Sequence, residues 1–145
     1  AWGIVTTKSP LPESPDELSI YATEGYWTGK SLNVRRYSMR LDGFVSMQAE
    51  LAGGEFLTKP LVFSGRKLVL NYSTSVAGGI WVELQSPDGK ALDGFSLEES
   101  DEIFGDQIKR EVTWKASDDV SRLSGKPIRI RFVLKDADLF SLRFQ

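Results

Sequence analysis

The sequence predicts an all-β fold, specifically a two-sheet antiparallel β-sandwich of the jelly-roll-like type with about ten strands. Apolar and polar side chains alternate over many short segments, as they do in strands that bury only one face. Turn sequences separate these segments, among them Asp42-Gly43 and the PDGK sequence at residues 87–90. No segment has the apolar spacing of a helix longer than one turn, so a sandwich or barrel is the expected architecture.

The clearest predicted strand lies near the C-terminus, at residues 128–135. Its even positions are apolar, whereas Arg129, Arg131 and Lys135 occupy three of the odd positions. Because side chains alternate between the two faces of a strand, the even positions are expected to face the core. The odd positions are expected to leave a polar outer face.

The other predicted strands are also short alternating segments between turn residues. They are residues 18–23, 34–41, 44–50, 55–63, 67–73, 79–85, 91–97, 108–114 and, at the end of the chain, 139–144. Residues 34–41 and 44–50 are predicted to form a hairpin around Asp42-Gly43. The pairs Gly53-Gly54 and Gly78-Gly79 are interpreted as turns.

The N-terminal residues 1–17 are predicted to be an extended strap or linker from a preceding domain, followed by a β-sandwich domain at residues 18–145. Three prolines within this strap, at positions 10, 12 and 15, argue against a regular element. Trp2 and Ile4 at its start are expected either to dock on a neighbouring domain or to fold back on their own.

The composition excludes several kinds of chemistry. The 145 residues include neither cysteine nor histidine, which removes disulfides, thiolate sites and the commonest general base. The net charge of −2 combines interspersed charges of both signs, so nucleic acid is not an expected partner. No apolar run approaches the roughly 20 residues that span a bilayer.

An outward-facing strand surface is the candidate ligand-binding site. If Ile80, Val82 and Leu84 face the core, then Trp81 and its alternate neighbours face outward, where an indole can stack on a sugar ring. Arginines on other strands are expected to extend this surface. The candidate ligand-binding residues are Trp81, Glu83, Gln85, Arg36, Arg40, Arg129 and Arg131. The alternative is that Trp81 packs under a loop, against a preceding domain or against an arginine.

Acidic residues provide two weaker hypotheses. The acidic segment at residues 98–102, with Asp106 beyond it, is interpreted as a solvated turn, with a Ca²⁺ site as the alternative; no other cofactor is expected. A pair of carboxylates is the minimum for a glycosidase. The acids available for such a pair are Asp42, Glu50, Glu83, Asp101 and Asp106, and their spacing singles out none of them.

Several stretches together resemble a recurring region of large bacterial secreted proteins. They are RYSMRLDGFVS (36–46), TKPLVFSG (58–65), LVLNY (68–72), VELQ (82–85), Gly105-Asp106, VTW (112–114) and SRLSGKPIRIRF (121–132). In those proteins this region follows a β-propeller domain similar to glycoside hydrolases of families 32 and 43. The resemblance extends from about Trp2 to Phe144.

The resemblance implies a jelly-roll-like accessory domain beside a catalytic β-propeller, in a secreted or periplasmic protein. The catalytic acids of such enzymes lie in the propeller, so no catalytic residue is assigned to this chain. Its implied role is to pack against the propeller and in some cases to bind polysaccharide or oligosaccharide. Two other hypotheses remain open: a small polysaccharide-active enzyme that uses carboxylates, and a structural or assembly domain.

Overall fold

The computed structural model describes residues 3–27, 29, 32–115 and 117–145, and it confirms an all-β fold with two antiparallel sheets. Trp2, which was expected to dock, lies outside the described residues. Eight strands are present in the described part of the chain: β1 (Val5–Thr7), β2 (Glu17–Glu24), β3 (Asn33–Arg40), β4 (Met47–Ala49), β5 (Gly54–Leu57), β6 (Leu68–Gln85), β7 (Asp106–Glu111) and β8 (Arg129–Phe144). A 3₁₀ turn, Ser121–Leu123, precedes β8.

The chain forms two compact units, residues 1–45 and residues 46–145. Part of the expected strap is a strand, because β1 pairs with β2 and places Thr7 opposite Glu17. The hydroxyls of Thr7 and Ser19 also share a hydrogen bond of 2.7 Å across this pair. The three prolines lie in the connection between β1 and β2, where no ladder N–H is needed.

The first unit contains a three-stranded antiparallel sheet in the order β1-β2-β3. The register places Leu18 opposite Met39 and Ile20 opposite Tyr37, which gives this sheet one apolar face. The predicted hairpin of residues 34–41 and 44–50 is therefore wrong. The apolar positions of β3 match those of β2, and β4 pairs with β8 instead.

The second unit contains a five-stranded antiparallel sheet in the order β4-β8-β6-β7, and β5 also pairs with β8. β4 lies against residues 137–139 of β8, and β5 lies against residues 131–134. The long strands β6 and β8 each combine two predicted strands, which is one reason for eight strands rather than about ten. Gly78 and Gly79 lie within β6, so they do not form the predicted turn.

A bulge joins the two halves of these long strands. β6 advances five residues, from Thr74 to Gly79, while its partner β8 advances only two, from Lys135 to Ala137. Asp136, between those two β8 residues, has a left-handed φ of 42°. Because β6 has these extra residues, its even positions face the core both before and after the bulge.

The core covers one face of the five-stranded sheet. Side chains from the loops complete it, including Phe63, which stacks on Phe144, and Phe95, which meets Trp114 edge-on. The predicted inward positions are confirmed, because the following residues are all buried: Ile80, Val82, Leu84, Ile128, Ile130, Phe132 and Leu134. No helix among the described residues is long and apolar enough to cross a membrane.

Residues 91–97, predicted to be a strand, form a loop that runs beside β6. Leu92 N–H donates to Leu84 O at 2.9 Å, and Leu84 N–H donates to Phe95 O at 3.0 Å. A turn closed by Phe95 N–H and Leu92 O interrupts the ladder between these contacts. The apolar alternation that suggested a strand arises because Phe95 enters the core from this loop.

Candidate functional site

The outer face of the five-stranded sheet brings together five of the seven residues that were expected to bind a ligand. Because β8 lies between β5 and β6, residues of the three strands stand in rows across this face. The rows are Glu55, Val133 and Trp81; Leu57, Arg131 and Glu83; and Arg129 with Gln85.

An open pocket of about 420 Å³ lies at the Trp81 end of this face. Its lining consists of the turn before β5 (residues 51–54), Glu55, Trp81 and residues 133–135 of β8. We call this cavity the Trp81 pocket. Its volume falls in the range of about 300–1,000 Å³ that is usual for small-molecule sites.

Glycines create the space in the Trp81 pocket. Lys135 pairs with Gly79, so the row beyond Trp81 has no side chain on its β6 side. A Cβ atom at Gly79 would come within 2.8 Å of Trp81 Cη2 and 2.7 Å of Glu102 Oε1. The indole therefore extends over Gly79, where any larger residue would displace it. On the opposite wall, Gly53 has a φ of 81°, which closes the turn after β4.

Trp81 is half-buried, and Lys135 and Glu55 are exposed at its sides. Glu55 is engaged by Arg131, whose Nη2 and Nε donate to Glu55 Oε2 at 2.5 and 3.1 Å. Hydrogen bonding with Glu55 raises the pKa of Arg131 above its ordinary value. Lys135 has no ion pair with another described residue. The pocket thus has a half-buried indole, a paired carboxylate and an ammonium group without an ionic partner.

Glu83 and Gln85 are buried, with only 7% of each exposed, although they were expected to face a ligand. Glu83 Oε2 accepts a hydrogen bond from Leu97 N at 3.0 Å, and Glu83 Oε1 accepts one from Gln85 Nε2 at 2.6 Å. The loop beside β6 thus contacts Glu83, and sequence periodicity cannot reveal such a contact. Glu83 therefore anchors the loop, Gln85 supports Glu83, and neither residue lines the pocket.

Gln85 Oε1 is a buried acceptor with no hydrogen-bond partner in the described part of the chain. The amide orientation is fixed, because its nitrogen must point toward the carboxylate of Glu83. Arg129, in the same row, donates instead to Thr58 O at 3.3 Å. The outer face therefore carries a structural hydrogen-bond network at this end, whereas an open pocket lies near Trp81.

Arg36 and Arg40 lie on β3, in the other sheet and the other compact unit. Arg36 is held by its own sheet, because it donates to Ser19 Oγ, Glu17 Oε2 and Thr7 Oγ1 at 2.7, 2.7 and 2.8 Å. Arg40 is partly buried and also has an interaction partner. The Arg36 contacts complete the β1-β2-β3 sheet.

The acidic segment at residues 98–102 is used for local structure. Glu99 Oε2 accepts hydrogen bonds from the hydroxyl and the backbone N–H of Ser96, and these bonds lower the pKa of Glu99. Asp101 Oδ2 accepts a hydrogen bond of 2.6 Å from Thr113 Oγ1. A carboxylate with a lowered pKa favours its charged form, the opposite of what a general acid requires. No cluster of acids with metal-binding geometry occurs among the described residues.

A second open cleft, of about 270 Å³, lies beside Arg122 in the same unit. Arg122 stacks over the Phe95 ring, with its Cζ 4.7 Å from the ring centroid, and donates to Asp93 O. These contacts keep the guanidinium group occupied with its own loops. The Trp81 pocket is the better candidate because its indole and Lys135 ammonium group are not used in this way.

Sequence reasoning missed the wall and the charge of the pocket. Gly53-Gly54 was interpreted only as a turn, and Lys135 was placed on the outer face without a ligand-binding role. Lys135 occupies an odd position of its strand, as Arg129 and Arg131 do. This alternation was enough to predict that the three residues share one face. The strand order that brings β5 beside β8 was not visible in the sequence.

Comparison of the chain with family models, curated proteins and solved structures finds no match in any of the three.

Proposed function

We propose that this chain is a non-catalytic accessory β-module of a carbohydrate-active, glycoside hydrolase-like protein. In this proposal it binds a polysaccharide or oligosaccharide at the Trp81 pocket and packs against a catalytic β-propeller domain of the same secreted or periplasmic protein. The observation that carries the proposal is the open pocket of about 420 Å³, which combines an indole with exposed polar groups.

The chemistry of the pocket matches that of a sugar ring. A pyranose has an apolar C–H face, which an indole covers, and hydroxyls around its edge, which need hydrogen-bond partners. Glu55 and Lys135 stand at the edges of the pocket, and the turn at residues 51–54 adds backbone groups. Such a site needs no cofactor, and Glu55 is the single acid among the described residues that line the pocket.

Affinity electrophoresis in gels that contain neutral or acidic polysaccharides tests glycan binding. Trp81→Ala is expected to abolish the retardation of the chain, because the stacking surface is lost. Trp27→Ala is the matched control, because Trp27 lies in the other unit and is 90% exposed. Retardation that persists in Trp81→Ala, with melting temperatures showing that both variants are folded, would remove this site from the proposal.

The first unit supports the docking part of the proposal. The hydrophobic core contains no residue of β1, β2 or β3, so this sheet has no core of its own among the described residues. A sheet with an apolar face buries that face against another element. A β-propeller domain offers sheet surfaces that can fill this role.

Docking is tested by titration calorimetry between this chain and a separately produced β-propeller domain of the parent protein. Ile20→Glu, on the apolar face of β2, is expected to abolish binding because it places a charge in the contact. Val62→Glu is the control, since Val62 is exposed and belongs to the other unit. Equal binding by the wild type and Ile20→Glu would contradict docking through this face.

A further inference from the structure

We infer that the Trp81 pocket selects a sugar ring that carries a carboxylate over the corresponding neutral sugar. This inference rests on the proposed glycan binding and adds the class of sugar. Two features of the pocket support it: the lack of an ionic partner for Lys135 among the described residues, and the ion pair made by Glu55, the acid in the pocket lining.

Lys135 provides a cation without a partner at the right place. It is exposed, it lines the pocket, and no other described residue forms an ion pair with it. It lies two residues along β8 from Val133, which stands beside Trp81. Two residues of a strand span about 6.6 Å, so a ring stacked on the indole brings an edge substituent within reach of the Lys135 ammonium group.

The carboxylate of Glu55 opposes an acidic ligand less than an unpaired carboxylate would, because it forms an ion pair with Arg131. The Arg131 guanidinium donates twice to Glu55 and also lies 3.7 Å from Glu83 Oε1. Because Glu55 is paired with Arg131, Lys135 is the charged group of the pocket lining that is left for a ligand to bind. A carboxylate on the sugar would accept a charge-assisted hydrogen bond from the Lys135 ammonium group.

Glu102 is a nearby acid that works against this selection. Its Oε1 lies beside Gly79, close to Trp81 Cη2, although Glu102 does not line the pocket. Glu102 has no ion pair with another described residue, and it is exposed, so its repulsion is screened by solvent. Removing this charge is therefore expected to strengthen the binding of an acidic sugar.

Affinity electrophoresis with matched ligands tests the inference. The probes are polygalacturonate, alginate and hyaluronate, each compared with its carboxyl-reduced form, in which the ring is kept and the charge is removed. The wild type is expected to bind at least one acid form about tenfold more tightly than its reduced form, a difference of about 1.4 kcal/mol. Added salt is expected to reduce this preference.

Charge variants identify the residue responsible. Lys135→Gln is expected to lose most of the preference for the acid form while keeping the affinity for the reduced form. Glu102→Gln is expected to increase the preference by about two- to threefold, as a screened surface charge does. Lys109→Gln, an exposed lysine on β7, is the control and is expected to change neither affinity.

The outcomes separate this inference from the proposed function. Equal binding of acid and reduced forms, abolished by Trp81→Ala, would overturn the charge selection but not the glycan site. An equal loss of both affinities in Lys135→Gln would also overturn it, because that result indicates a general packing role. Failure of every probe to bind would overturn the proposed site together with the inference.

Discussion

At the scale of single residues, Glu83 shows how an acidic side chain in a strand becomes a structural anchor. Both of its carboxylate oxygens are used, one by the Leu97 N–H and the other by the Gln85 amide, and 7% of the residue is exposed. A buried carboxylate is stable only when it is hydrogen-bonded. Glu83 therefore holds the loop at residues 91–97 against β6.

Replacing Glu83 with alanine is expected to lower the free energy of unfolding by about 1–3 kcal/mol, because two buried donors lose their acceptor. Urea unfolding followed by circular dichroism measures the change. Glu98→Ala, at an exposed position directly after this loop, is the control and is expected to change the value by less than about 0.5 kcal/mol. Similar losses in the two variants would contradict the anchoring role.

Asp119 gives a second residue-scale prediction, which concerns acid stability. Hydrogen bonds with Ser121 and then with Arg66 hold the pKa of Asp119 well below its ordinary value. The folded state thus favours the charged carboxylate. This contribution to stability is complete above the unfolded-state pKa of about 3.9 and is lost as the pH falls below it.

The variant Asp119→Asn is therefore expected to lose less free energy of unfolding than the wild type when the pH falls from about 5 to about 2. Arg66→Gln is expected to shift the profile in the same direction but less, because Arg66 is the smaller cause. Urea unfolding at a series of pH values measures these slopes. An Asp119→Asn slope as steep as that of the wild type would contradict the assignment.

At the scale of elements, the bulge between β6 and β8 aligns the two halves of the sheet. A Cβ atom at Gly78 would meet the carbonyl oxygen of Lys135 at 2.6 Å, and that of Asp136 at a still shorter distance. Real Cβ atoms do not come so close to backbone oxygens. The bulge therefore requires glycine at position 78, within a strand rather than in a turn.

Gly78→Ala is expected to destabilise the protein by about 1–3 kcal/mol, because the backbone must move to relieve the overlap. Gly54→Ala is the matched control. An added Cβ there makes only an ordinary contact of 3.6 Å with Ala49, so the change should stay within about 1 kcal/mol. Thermal unfolding compares the two variants, and equal melting temperatures would argue against this account of the bulge.

The sequence predicted the fold class because period-two alternation depends only on local burial. The inward positions of residues 80–84 and 128–134 follow directly from that pattern. The partners of the strands did not follow, because pairing depends on contacts between distant residues. β3 has a plausible hairpin partner next to it, yet its apolar positions match β2.

The candidate site was predictable to a similar extent. Alternation placed Trp81, Arg129 and Arg131 on one face of the second unit, because β6 and β8 proved to be neighbours. It could not show that a loop binds Glu83 and that Gln85 is bonded to Glu83, since the loop contact comes from non-repetitive backbone. Nor could it assign Arg36 and Arg40 to a different sheet.

At the scale of the whole molecule, the two compact units differ in how well they are packed. The second unit has a continuous core on one face of its sheet, whereas the described part of the first unit contributes nothing to that core. Local stability follows buried apolar contact. The two units are therefore expected to open with different free energies.

Hydrogen exchange on the intact chain measures this difference. The backbone N–H groups of β6 and β8 are expected to exchange only through global unfolding, whereas those of β2 and β3 exchange faster by a large factor. The β2-β3 sheet is expected to gain protection when the proposed propeller partner is added. Equal protection of both sheets in the isolated chain would contradict the view that the first unit needs a partner.

The central claim is that the Trp81 pocket binds a glycan. The most direct measurement is an NMR titration of the indole N–H resonances, because the four tryptophans of the sequence are distinguishable after single Trp→Phe substitutions. Adding an acidic oligosaccharide is expected to shift the Trp81 resonance while those of Trp27 and Trp114 stay unchanged. A titration that leaves the Trp81 resonance in place while another indole shifts, or while none does, would contradict the claim.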